Sequence, residues 1–168
     1  MKRLFTALML LFAFCVFAEA KEDASQRNVS LTLSPFRLLN PELYLSGELR
    51  LSPKMSAAVM LGAGRVTDEG KTGTIWEGGG QLRYSLIGSF AHGIMIGADI
   101  GYVDIDTQIE HPIAYLVGAH AGGFLGYKFS LEAGFTAELQ IGPIYLWGET
   151  ASTSELQTLL AFNVGWSF

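Results

Sequence analysis

The residues of this 168-residue chain that could act as nucleophile, base or ligand are few: one cysteine, Cys15, and three histidines, His92, His111 and His120. Histidine does hydrolytic chemistry when it lies within reach of a hydroxyl and a carboxylate orients its ring. Only His120, in "VGAHAGG", sits inside a regular segment, and the residue two positions on, on the same side of an extended chain, is Gly122 rather than serine. His120 is therefore expected to hydrogen-bond a neighbouring carboxylate rather than to activate a nucleophile. Asp104, Asp106 and Glu110 could be imagined around a hard cation, but a solvated acidic loop explains them as well. "GAGR" and "EGGGQ" would cradle phosphate only if helices followed, and alternating residues follow instead. No catalytic, cofactor or metal site is expected.

The elements that must position these groups begin after a targeting segment. Lys2 and Arg3 precede an apolar run from Leu4 to Phe17, and Ala18 and Ala20 flank Glu19 in an A-x-A cleavage pattern. This reads as a secretory signal peptide over residues 1–20. Cys15 follows "FAF", not the small residues of a lipidation site, so the mature chain is expected to lack thiol and disulfide chemistry. Residues 21–27 form a short polar lead-in, and residues 28–168 are long enough for one domain. Loss of Lys2, Arg3 and Glu19 takes the formal charge from −5 to −6, which argues against nucleic acid as a partner. No apolar run approaches the roughly 20 residues of a spanning helix.

Alternation of apolar and polar residues, the mark of a strand with two unlike faces, runs through the rest. It predicts a first strand around Val29–Leu33, then Glu42–Leu51, Ser56–Gly64, Ile75–Ile87, Gly93–Val103, Ile113–Leu125, Leu131–Ile141 and a terminal strand in "LLAFNVGWSF". The connections "SPKM", "GSFAH" and "GYKFS" read as short turns. "RVTDEGKTGT", "DIDTQIEHP" and "GPIYLWGETASTSE" read as longer acidic loops carrying Asp68, Glu69, Asp104, Asp106, Glu110, Glu149 and Glu155. Eight strands with alternating short and long connections predict an all-β fold, an eight-stranded antiparallel transmembrane barrel of up-and-down meander order.

The charges decide which face points inward. Glu48, Arg50, Glu77, Arg83, Asp99, Glu132 and Glu138 all lie opposite the Leu, Ile, Phe, Tyr and Trp face. So narrow a barrel is filled by its side chains, and these groups are expected to pair with one another in the lumen. A lipocalin-like periplasmic binder would turn the apolar face inward instead. Trp76, Tyr84, Tyr102, Tyr115, Trp166 and Phe168 fall towards strand ends, as rings at a lipid boundary do.

The final segment, with Phe162, Val164 and Trp166 alternating to a terminal Phe168, resembles the signal by which bacterial outer-membrane proteins reach the barrel assembly machinery. Residues 28–168 as a whole resemble the small eight-stranded outer-membrane barrel superfamily that includes the transmembrane domain of outer-membrane protein A. "SPFRLLNPELYLSGELRLSPKMSAAVMLGAG" and "GFLGYKFSLEAGFTAELQIG" are similar to barrel families known by architecture alone. The resemblance implies fold, compartment and assembly route, with outer-membrane lipids and lipopolysaccharide as surroundings, and implies little about activity. The expected role is structural or one of interaction through extracellular loops with an unknown ligand. Acidic loops could bridge to lipopolysaccharide phosphates through divalent cations. A narrow pore, or transport of small hydrophobic molecules, is the alternative. Some small barrels modify lipid A using histidine and serine two residues apart, the pattern that Gly122 breaks.

Overall fold

The computed structural model describes residues 27–39, 41–68, 71–106, 118–148 and 155–168. The cleavage residues Ala18 and Ala20, together with Glu69, Glu110, His111, Tyr115 and Glu149, lie outside them. The strands are β1 (Val29–Leu33), β2 (Glu42–Arg50), β3 (Met55–Asp68), β4 (Lys71–Gly88), β5 (Gly93–Asp106), β6 (Gly118–Ser130), β7 (Phe135–Gly148) and β8 (Glu155–Ser167), with a 3-10 turn at Arg37–Leu39. They close in sequence order into one antiparallel barrel, β1 sealing against β8. The all-β, eight-stranded meander is the architecture that the alternation predicts.

Most of the large apolar residues on the strands lie outside, with Met60, Ile75, Met95 and Phe124 among the exceptions that point inward. Leu61 is 64 % exposed and Ile100 62 %, whereas Arg83 is 3 % and Glu138 2 % exposed. Directly paired residues share a face, so one strand's alternation propagates around the wall through the register. Arg83 faces Ser56 and Gly97, and Glu138 faces Lys128 and Asn163. The polarity is the reverse of a lipocalin's.

Boundaries depart from expectation at several places. "GYKFS" is not a turn: β6 runs through it, with Tyr127 and Phe129 outward and Lys128 inward, and the reversal falls at residues 131–134. There the Leu131 amide donates to the Phe135 carbonyl at 2.8 Å, and Gly134 adopts φ +99°, a conformation that suits glycine. The segments read as long loops after the third and seventh strands are largely wall, since β3 and β4 stay paired to Asp68↔Lys71 and β7 runs to Gly148. Asp104 and Asp106 likewise belong to β5.

The wall is uneven in height. The β3–β4 and β4–β5 ladders extend over most of those strands, but β1 is five residues long and its pairing with β8 stops at Leu33↔Val164. Among the described residues, β8 from Glu155 to Asn163 has no strand partner on that side. Ser34 Oγ donates to the Phe162 carbonyl at 3.1 Å across the gap. Arg27, Phe168 and the turns 51–54, 89–92 and 131–134 share one end of the barrel, here the turn end. The opposite end, carrying the 3-10 turn, is the loop end.

Candidate functional site: a sealed lower lumen and a cavity above it

Inward positions of β2, β4, β6 and β7 meet in the turn-end half of the lumen. Arg83 Nη1 lies 2.9 Å from Glu48 Oε2 and 2.9 Å from Glu138 Oε2, and Lys128 Nζ lies 2.5 Å from Glu48 Oε2. Ser56 Oγ donates to the other Glu48 oxygen at 2.5 Å. Two cations meet two carboxylates, so the group is charge-balanced, the condition for burying ions at tolerable cost. Gln81 and Gln140 bond each other, and both extend the network, Gln81 to Arg83 and Asp99 and Gln140 to Glu138. Phe90, Ala91, Met95 and Phe124 are buried in the lumen, and the Phe90 ring lies 4.0 Å from Lys128 Nζ. Arg27 is buried at the turn end and donates to the carbonyls of Leu131 and Glu132.

Glycines on β5 make room for the bulky groups of β6. A Cβ at Gly101 would collide with the His120 ring, and one at Gly97 with that of Phe124. The space at Gly101 lets His120 Nε2 reach Asp99 Oδ1 at 2.9 Å. His120 thus has the carboxylate partner expected of it.

Above Gln81 and Gln140 the lumen holds a cavity of about 420 Å³. Glu42, Tyr44, Glu77, Asp99, His120 and Asn163 give it polar walls, and Met60, Ile75, Val103, Ile144 and Leu159 apolar ones. Arg37, from the 3-10 turn, folds over this edge, bonding Glu42 at 2.8 Å, contacting Glu77 and stacking 4.3 Å above the Tyr44 ring. Burial works against the charge of Arg37, but Glu77 and then Glu42 outweigh it and hold the guanidinium above its ordinary range.

Of the seven residues expected to pair in the lumen, Glu48, Arg83 and Glu138 meet directly, and Glu77 and Asp99 face the cavity above. Glu132 does not join them, because it lies exposed in the 131–134 turn and not on a strand. Arg50 ends β2 half-buried, where its Nε donates to the Ser52 carbonyl. Phe162, Val164 and Trp166 alternate along β8, Trp166 stacks edge-on against Phe135, and Phe168 closes the seam. Sequence reasoning missed Lys128, hidden in an assumed turn, although its alternation with Phe124 and Gly126 carried the signal. It also missed Arg37, which no strand pattern could place. Among the described residues no group of acidic, histidine or cysteine side chains is arranged to hold a metal ion.

Comparison with family models, with curated proteins and with solved structures gave no match to this chain.

Proposed function

We propose that this chain is an integral barrel of the bacterial outer membrane, exported through a cleaved signal peptide, that conducts no ions and acts by binding at its loop end. The observation that carries the reading is the inverted polarity, charged residues within and a continuous apolar face without. Exposed aromatic residues add to it: Trp76, Tyr102, Tyr145 and Trp147 ring the wall near the loop end, and Tyr84, Tyr127, Phe129 and Phe168 ring it near the turn end. Trp76 and Tyr84 are eight residues apart on β4, roughly 26 Å along a strand and roughly 20 Å once tilt is allowed for. That is close to the ~25 Å apolar band of outer-membrane barrels.

The narrow-pore alternative is opposed by the buried Glu48–Arg83–Glu138–Lys128 group and by Phe90 and Phe124 in the same half of the lumen. Outer-membrane lipids, lipopolysaccharide and the barrel assembly machinery are the partners this reading brings. The test is gel mobility of boiled against unboiled outer-membrane fractions, paired with planar-bilayer recording. A heat-dependent shift with a silent bilayer is the expected result. Recovery outside the membrane without a shift would overturn the compartment, and discrete conductance steps would overturn the closed lumen.

A further inference from the structure

The cavity is lined by residues from both faces of β8. Leu159, Ala161 and Asn163 point into the lumen, whereas Leu160 and Phe162 pair with the outward Ile141 and Leu139. Inward and outward residues of one strand can line one space only where the wall is breached, and this is the stretch where β8 has lost its β1 partner. Phe36 and Phe162 stand at the breach with ring centroids 5.6 Å apart, and Leu160 beside them is 69 % exposed. The cavity therefore runs from a polar luminal wall to an apolar opening on the outside of the barrel.

The polar wall carries excess negative charge. Glu42, Glu77 and Asp99 face the cavity with one cation, Arg37, which bridges Glu42 and Glu77, so carboxylates outnumber cations by two when His120 is neutral. The turn-end group, by contrast, balances two cations against two carboxylates. An uncompensated charge in an enclosed space is costly and favours a mobile cation that can enter. Independently of the acids, Asn163 is only 5 % exposed, lines the cavity and has no hydrogen-bond partner for its amide among the described residues. Buried amides are normally satisfied, and one turned into an empty space is equipped for a ligand.

We infer that the cavity binds an organic cation bearing an apolar chain, its ammonium head among Asp99, Glu77 and Asn163 and its chain lying in the breach between Phe36, Leu160 and Phe162. A volume of about 420 Å³ suits a small amphiphile. A bare metal ion would leave the apolar opening without a role. The inference rests on the proposed membrane reading only for the direction of entry, which is from the surrounding lipid.

The experiment is a titration of the folded full chain in phosphatidylcholine nanodiscs, followed by backbone amide NMR shifts. The probes are hexyltrimethylammonium, tetramethylammonium and hexyl sulfate. The expected result is saturable shifts at Gly79, Gly101 and Asn163 with hexyltrimethylammonium, at least tenfold weaker binding of tetramethylammonium, and no saturable binding of hexyl sulfate. Asp99→Asn and Asn163→Leu should each weaken the alkylammonium at least fivefold, with Glu42→Gln as the replacement if either loses its heat-dependent gel shift. Equal responses to cation and anion, shifts confined to the lipid-facing wall, or affinity unchanged by these variants would overturn the site. A barrel recovered in the outer membrane that binds no probe would refute the site and leave the proposed function standing. Probe binding by a chain that never enters membranes would do the reverse.

Discussion

Arg83 on β4 reaches across the lumen to Glu138 on β7, Nη1 to Oε2 at 2.9 Å, tying opposite walls of the barrel 55 residues apart in sequence. The same nitrogen is 2.9 Å from Glu48 on β2, so one guanidinium holds three strands together.

Replacing Arg83 with methionine should therefore cost far more than a surface ion pair. Glu138 would be left buried without a cation, and Glu48 would keep only Lys128. The expected loss is about 3–5 kcal/mol, read from urea unfolding in micelles. Neutralising the carboxylate as well, in Arg83→Met with Glu138→Gln, should recover part of it. A single-variant loss below about 1 kcal/mol would mean that water already solvates this group.

The lipid-facing reading predicts a depth profile on β3. Val59 pairs with Gly80, midway between the levels of Tyr84 and Trp76, whereas Ala63 pairs with Trp76 itself. Val59→Arg should destabilise the folded barrel by about 2–4 kcal/mol and Ala63→Arg by about 0–1 kcal/mol. Equal, small effects in both variants would indicate that water, not hydrocarbon, covers this face.

Gly101→Ala places a methyl group against the His120 ring. The ring must move off Asp99, and overpacking of this kind costs about 1–3 kcal/mol. A changed His120 imidazole NMR signal alongside a lowered unfolding midpoint would check it, and an unchanged signal would show that the wall yields instead.

Phe168 closes the seam through its backbone. Its carbonyl accepts from the Asn28 amide at 2.7 Å and the Val29 amide at 3.2 Å, and its own amide donates to Val29 at 2.8 Å. Deleting Phe168 should lower the folded fraction both in cells and on refolding in detergent. Phe168→Ser keeps the backbone, so it should refold in detergent like the parent and fall short only in cells, where the assembly signal would be read from the side chain. Equal losses in both settings would assign the ring a structural role and remove the signal.

The sequence by itself determined eight strands, their order and which face of each is apolar. That information is local: the period of two in "ELYLSGELR" or "LLAFNVGWSF" needs no partner to be read. Where a strand stops is less local, and "GYKFS" misled because the glycine and serine that suggest a turn also suit the lumen of a narrow barrel. Arg50 and Glu132 carry the right charge at the right parity, but they sit where β2 ends and β7 has not begun.

Only the tertiary structure decided who meets whom. Pairing of Glu48 with Arg83 and Lys128 depends on the stagger at which eight strands close, a property of the whole ring that no segment encodes alone. The breach beside β8 has the same origin. It arises because β1 is five residues long while β8 is thirteen, and that mismatch acquires meaning only when closure brings the first strand against the last.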